Sequence, residues 1–119
     1  MPALHIDNGA GLSREARISA EGLAALLEAA TNWPWWPEFL GSLPIAAVDG
    51  SLRNRFHNVA GPGRLRLKTG LLKDVRALAG YAIDLNGDFW VVVILHNHPR
   101  ASSSVSIEIQ RRLLETLFP

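Results

Sequence analysis

The side chains whose chemistry is easiest to define in this chain of 119 residues belong to the triplet Lys68-Thr69-Gly70. An ammonium group beside a hydroxyl can hold a carboxylate, and a glycine lets another backbone lie close against the chain. Charged residues and leucines alternate over residues 64–68, and this alternation predicts a half-buried strand that ends in the triplet. Three residues also recur by chance, and a lysine on a strand is usually just solvated. Anion binding is therefore a hypothesis that depends on the surrounding elements.

The residues before the triplet predict one helix and several irregular segments. Ser19 is a good N-cap for a helix over residues 20–30. Residues 1–18 contain turn residues and predict an irregular start. The prolines among residues 33–37 predict a loop or a single turn over the core, because proline interrupts helices and central strands. A short helical turn is predicted over residues 52–56.

The second half of the chain predicts two more strands and a final helix. Residues 75–85 hold apolar side chains without helix caps, and the Asn-Gly pair at residues 86–87 is a strong hairpin signal. Residues 89–95 are apolar on both faces, which predicts a central strand. Ser103 or Ser104 is expected to cap the final helix.

The final helix is expected to carry a helix-stabilising ion pair between Glu108 and Arg112. Its apolar residues recur at helical spacing and predict one stripe: Val105, Ile109, Leu113 and Leu117.

Composition limits the architecture to one domain over residues 1–119. The chain is 48% hydrophobic and 19% charged, and its formal net charge of +1 gives no global bias toward nucleic acid or membrane. It has no cysteine, which excludes disulfides and thiolate metal sites. The longest apolar run, residues 89–95, is too short to span a bilayer. The first residues lack a signal-peptide pattern, so no leader is expected in this chain.

Several stretches, in order along the chain, resemble the D-alanyl-D-alanine carboxypeptidase/endopeptidase family, peptidase S13, of the penicillin-binding protein 4 type. They are Gly50-Ser51-Leu52-Arg53-Asn54-Arg55-Phe56, residues 63–75 around the triplet, and Ala77-Leu78-Ala79-Gly80-Tyr81. Residues 7–14 are similar to an Asp-x-Ser-Gly-Leu-Ser segment of these proteins, with Ala10 where serine is usual. Residues 93–99 are similar to their last strand.

This resemblance implies an α+β fold: the C-terminal part of a β-lactamase/penicillin-binding-protein-like transpeptidase domain, with three antiparallel strands and flanking helices. It implies that Lys68, Thr69 and Gly70 bind the terminal carboxylate of a substrate, and that the backbone N–H of Leu71 is one oxyanion donor. The implied partners are peptidoglycan stem peptides and β-lactams, without a cofactor, and the implied location is the periplasm. Preference between carboxypeptidase and endopeptidase action does not follow from these residues.

Two family motifs are absent from this sequence. No serine is followed by a lysine three residues later, and none by an asparagine two residues later. The nucleophile motif Ser-x-x-Lys and the proton-transfer motif Ser-x-Asn of the family are therefore missing, and this chain alone is predicted to be inactive. Leu71 also stands where threonine usually follows the triplet, although a backbone N–H survives that replacement.

Other functions remain open as alternatives. The chain is alternatively a non-catalytic module that binds peptidoglycan peptides or a protein. The arginines and lysines of residues 53–76 are a weaker indication of nucleic-acid binding, which is not expected. His96 and His98 lie at strand spacing but lack a third ligand nearby in sequence, so no metal site is expected. Residues 84–88 hold calcium-loop residue types, but a hairpin turn explains them better. The apolar strand over residues 89–95 predicts self-association, because by resemblance its pairing strand lies outside this chain.

Overall fold

The computed structural model describes residues 4–61 and 63–119. The elements are, in chain order, β1 (Leu4–His5), β2 (Arg17–Ile18), α1 (Ala20–Ala30), α2 (Trp36–Gly41), a 3₁₀ turn (Gly50–Leu52), β3 (Leu65–Leu72), β4 (Val75–Ile83), β5 (Phe89–Asn97) and α3 (Ser104–Glu115). The helix predicted over residues 20–30 is confirmed, and the Ser19 side chain accepts a hydrogen bond from the Gly22 N–H as its N-cap. The segment predicted to be irregular contains β1 and β2, which pair with each other over two residues.

Three antiparallel strands form the sheet, in the order β3-β4-β5. The register runs without interruption from Leu65 opposite Ala82 to Leu72 opposite Val75, so Lys73 and Asp74 make the turn between β3 and β4. β5 then runs back along β4, from Phe89 opposite Ile83 to Asn97 opposite Val75. The α+β fold with three antiparallel strands and flanking helices is thus confirmed.

Each face of the sheet is covered by different elements. One face packs against α3, the 3₁₀ turn and the segment after that turn, in a core that contains Leu52, Leu67, Leu78, Val92 and Leu114. The other face packs against α1 and α2, through a second cluster that contains Leu23, Leu27, Trp36, Tyr81, Val91 and Val93. The buried Tyr81 hydroxyl donates to the Leu27 carbonyl across 2.6 Å and ties α1 to this face. The sheet is consequently the middle layer of three.

The prediction that residues 89–95 form a central strand is wrong for the part of the chain that the structure describes. β4 is central there, and β5 is an edge strand. The physical reason is that α1 and α2 cover one face of β5 and α3 covers the other. A strand with apolar side chains on both faces is covered above and below the sheet. Such covering does not show whether the strand has a neighbour on each side within the sheet.

The triplet is not at the end of its strand. β3 continues through Leu71 and Leu72, so residues 68–70 lie inside an eight-residue strand. The strand extends this far because β4 offers it a partner at every position up to the two-residue turn.

Two helices also differ from expectation. α2 begins at Trp36 within the proline-rich segment, because Pro37 occupies the first helical turn, where its missing N–H costs nothing. Ser103 occupies the N-cap position of α3, but its hydroxyl donates to the Arg100 carbonyl and makes no capping bond to the helix. The predicted apolar stripe is not the buried face of this helix. Val105, Ile109 and Leu113 are exposed, while Ser106, Gln110 and Leu114 face the core.

In residues 4–61 and 63–119, no helix is both long enough and apolar enough to cross a membrane.

Candidate ligand-binding edge of the sheet

The outer edge of β3 is covered over its first three residues and open beyond them. The Leu65 carbonyl accepts from the Ala46 N–H at 2.9 Å, and the Leu67 N–H donates to the Pro44 carbonyl at 3.0 Å. A bridge between Ile45 and Arg66 completes this short pairing. Residues 44–46 pair with β3 only as far as Leu67. Among the described residues no strand continues along this edge of β3 beyond that point.

These two hydrogen bonds fix the direction of every backbone group in β3. In an antiparallel ladder the N–H and C=O of one residue point to the same neighbour, and residues two apart point to the same side. Because Leu65 and Leu67 point away from β4 and the register is regular, Thr69 and Leu71 also point away from β4. The N–H groups of Thr69 and Leu71 therefore point outward at the open edge, where they can donate hydrogen bonds to a bound ligand.

The Lys68 ammonium lies at this same open edge. Its Nζ donates to the carbonyl of Thr69 at 2.7 Å, and that carbonyl points away from β4. The Lys68 side chain is exposed, so a competing carboxylate can reach the ammonium without displacing a buried partner. A charge-assisted hydrogen bond to a carboxylate is stronger than the bond to a carbonyl that it would replace.

Gly70 leaves room beside the triplet. A Cβ built at Gly70 would contact only the Ala77 Cβ, at an ordinary 3.4 Å. The packing of this chain therefore does not require glycine at that position, and the open surface over Gly70 is available for close approach by another backbone.

Ser51 is a functional candidate that the sequence did not single out. The Thr69 hydroxyl donates to the Ser51 hydroxyl at 3.4 Å, across 18 residues of sequence. The stretch that contains Ser51 contributed to the family resemblance, but nothing in its composition or spacing indicated contact with the triplet. The open edge thus brings together the Lys68 ammonium, two hydroxyls and two outward N–H groups.

The segment after Ser51 is anchored to α3 by a partly buried arginine. Arg55 donates to the Gln110 Oε1 at 2.6 Å, and its guanidinium lies 4.5 Å from the centre of the Phe56 ring. Burial, and secondarily the charge of Arg76, lowers the pKa of Arg55 below its usual value. The anchor is incomplete, since the Arg55 Nε and the Gln110 Nε2 are buried without a hydrogen-bond partner among the described residues.

The other candidates from the sequence are explained by local structure. The His96 Nδ1 is 2.8 Å from the Ser106 hydroxyl, and the His98 Nδ1 accepts from the Arg100 N–H at 3.0 Å. Within residues 4–61 and 63–119, no three histidine, cysteine or acidic side chains cluster as a metal site would need.

The Asp84 carboxylate closes the loop between β4 and β5. It accepts from the Trp90 side chain and from the backbone N–H groups of Asn86 and Asp88, each at 2.9 Å. These hydrogen bonds, that of Trp90 first, lower the pKa of Asp84. The Asp84 carboxylate thus has a structural role in the hairpin loop, which accounts for this residue without a calcium site.

Lys-Thr-Gly is one of the three motifs that together mark the penicillin-recognising class of proteins, and in this chain it lies at the open edge of an antiparallel sheet with helical layers. Comparison with known proteins specifies the family. A sequence model of the "D-Ala-D-Ala carboxypeptidase 3 (S13) family" matches residues 1–117, and the chain belongs to that family.

Two curated relatives match most of this chain. The D-alanyl-D-alanine carboxypeptidase of Actinomadura sp. (strain R39) is 33% identical over 100 residues, which are 80% of this chain and 19% of that protein. The carboxypeptidase DacB of Mycolicibacterium smegmatis is 30% identical over 115 residues, which are 92% of this chain and 25% of that protein. The chain thus spans only about a fifth to a quarter of the length of these relatives.

Solved structures show the same fold. Penicillin-binding protein 4 (dacB) of Haemophilus influenzae aligns with 98% of this chain and 28% of its own at a TM-score of 0.79 and 25% identity. A structure of that protein complexed with a β-lactam aligns at a TM-score of 0.75 and 24% identity, and covers 92% of this chain and 27% of its own.

Proposed function

We propose that this chain supplies the strand that binds the substrate carboxylate and the oxyanion in a serine-type D-alanyl-D-alanine carboxypeptidase that acts on peptidoglycan peptides. The observation that carries the proposal is the direction of the β3 backbone. The Leu71 N–H and the Lys68 ammonium lie along one open edge, which a peptide substrate can approach. Membership of the S13 family supplies the reaction class.

Each residue of the triplet has a distinct role in this proposal. Lys68 and Thr69 hold the terminal carboxylate of the substrate through charge-assisted hydrogen bonds. Gly70 lets the substrate backbone lie against β3 as an added strand. The Leu71 N–H stabilises the negative charge that develops on the carbonyl oxygen when a nucleophile attacks the carbon between two D-alanine residues.

The covalent step needs a nucleophile that this chain does not contain. Acyl transfer proceeds through attack by an activated serine and release of the acyl group to water, and no serine of this sequence has a lysine three residues later. We expect the isolated chain to bind a D-alanyl-D-alanine terminus without cleaving it. Exposed ion pairs contribute only about 0–1 kcal/mol, so the dissociation constant should be about 1 mM or weaker.

The first experiment separates binding from acylation in the isolated chain. A fluorescent penicillin should leave no covalent label on the protein after denaturation. Titration with acetyl-D-alanyl-D-alanine should shift the amide NMR signals of residues 68–71, and Lys68→Ala should weaken these shifts. Arg112→Ala, which removes an exposed positive charge from α3, is the matched control. Covalent labelling would contradict the expected inactivity, and unperturbed signals at residues 68–71 would contradict the proposed binding role.

A non-catalytic binding module is the second candidate function. The same open edge favours it, because binding a carboxylate requires no serine. An added fragment distinguishes the two candidates. A fragment of a related enzyme that carries the nucleophile should restore turnover if this chain is part of a carboxypeptidase, and should not if it is a binding module. In either case we place the protein in the periplasm, where peptidoglycan peptides occur.

A further inference from the structure

The Ser51 hydroxyl touches the triplet at the side chain proposed to bind the substrate. Its distance of 3.4 Å from the Thr69 hydroxyl is long for two hydroxyls, which approach to about 2.7–2.8 Å in a strong bond. Ser51 is exposed, so a group that enters the open edge can approach both oxygens. The roles proposed for residues 68–71 leave Ser51 unassigned.

The backbone around Ser51 is held in place from both sides. Gly50, at a φ of +56°, packs so closely on Pro44 that a Cβ would lie 3.1 Å from the proline Cβ. The Pro44 carbonyl is the acceptor of the Leu67 N–H, so this packing ties the turn to β3. Leu52, immediately after Ser51, is fully buried in the core. The backbone position of Ser51 is therefore set by the packing of its two neighbours.

We propose that Ser51 is a positioning residue for carboxylate binding by Thr69; this inference rests on the proposed function. A hydroxyl offers one proton and two acceptor lone pairs. In the free protein the two hydroxyl oxygens lie 3.4 Å apart, which allows only a weak hydrogen bond between them. When a carboxylate enters, the Thr69 proton turns to the anion, and Ser51 donates its own proton to the Thr69 oxygen. Hydrogen bonds in such a chain polarise one another, so Thr69 becomes a stronger donor to the carboxylate.

The experiment measures the coupling between the Ser51 hydroxyl and the ligand carboxylate. Acetyl-D-alanyl-D-alanine and its C-terminal amide are titrated by NMR into the unsubstituted chain, Ser51→Ala, Ser51→Thr and the exposed control Ser102→Ala. Ser51→Ala should weaken binding of the acid about three- to tenfold, the effect of one neutral hydrogen bond. It should leave binding of the amide unchanged. Ser51→Thr keeps the hydroxyl and should stay within about twofold, as should Ser102→Ala.

The outcomes separate this inference from the proposed function. If the unsubstituted chain does not prefer the acid to the amide, the carboxylate site itself is wrong and the inference falls with it. If it prefers the acid and Ser51→Ala retains that preference, only the role of Ser51 is overturned. Equal weakening of acid and amide by Ser51→Ala would show a general effect on the fold and would also overturn the positioning role.

Discussion

At the scale of single residues, two glycines on neighbouring strands serve different purposes. A Cβ at Gly70 would meet only Ala77 at 3.4 Å, whereas a Cβ at Gly80 would lie 2.1 Å from the Arg66 carbonyl oxygen and 3.0 Å from the Leu67 Cα. Gly80 therefore permits the close approach of β3 to β4, while Gly70 keeps the outer surface of β3 clear. The first is a requirement of the fold, and the second is a requirement of the proposed site.

Alanine at the two positions should separate these roles. Gly80→Ala should destabilise the protein by about 1–3 kcal/mol, since the backbone of β3 must move, and should lower Tm by roughly 4–12 °C. Gly70→Ala should leave Tm nearly unchanged and weaken the shifts that acetyl-D-alanyl-D-alanine causes at residues 68–71. Thermal unfolding followed by circular dichroism, together with the NMR titration, checks both. Equal loss of Tm in the two variants would contradict the distinction.

At the scale of elements, α3 carries an ion-pair network on its solvent side. Arg111 and Arg112 both contact the Glu108 carboxylate, which includes the predicted pair of Glu108 with Arg112 at 3.0 Å, and Arg111 also contacts Glu115. Hydrogen bonds from Arg111 first, and then from Arg112, lower the pKa of Glu108 to about 2. The network links successive turns of a helix whose outer face is otherwise apolar.

The lowered pKa predicts the direction of a pH effect. A carboxyl whose folded-state pKa lies below its unfolded value stabilises the protein above the unfolded value, and that contribution disappears as the pH falls through the folded value. Glu108→Gln should therefore lower Tm at about pH 6, and the difference from the unsubstituted protein should vanish below about pH 2. Glu28→Gln removes an exposed carboxylate from α1 and is the control for the substitution itself. Because the network is exposed, high salt should shrink the difference, and persistence in 1 M salt would contradict this origin.

The elements also show what the sequence could and could not predict. Local signals located α1 from Ser19, the β4–β5 hairpin from its Asn-Gly pair and the N-terminus of α3 from Ser103. Helical spacing in α3 could not identify the buried face, because Val105 and Leu113 are exposed while Gln110 is buried against Arg55. In the site, the triplet was recognisable as a motif. The approach of Ser51 to Thr69 depends on the packing of Gly50 on Pro44 and on the long-range hydrogen bond between Pro44 and Leu67, which no local pattern encodes.

At the scale of the whole molecule, the outer edge of β5 is unpaired among residues 4–61 and 63–119. The ladder directs Val92 and Ile94 toward β4, so the N–H and C=O groups of Val91, Val93 and Leu95 point outward. Among the described residues no strand pairs with them. Residues 89–97 contain neither lysine nor proline, two residue types that block pairing at a strand edge. The apolar stripe of α3 is also exposed on this molecule, through Val105, Ile109 and Leu113.

We propose that two copies of this chain pair through their β5 edges, antiparallel and related by a two-fold axis. Sedimentation should show a dimer that dissociates on dilution, and hydrogen exchange should slow at Val91, Val93 and Leu95 as concentration rises, while Val92 and Ile94 stay protected throughout. Leu95→Pro removes an outward N–H and should weaken the dimer yet keep the sheet; Ile94→Pro removes a donor to β4 and should unfold it. A monomer at every concentration would overturn the dimer. Slow exchange at Val93 and Leu95 in that monomer would show that this edge is covered within one chain.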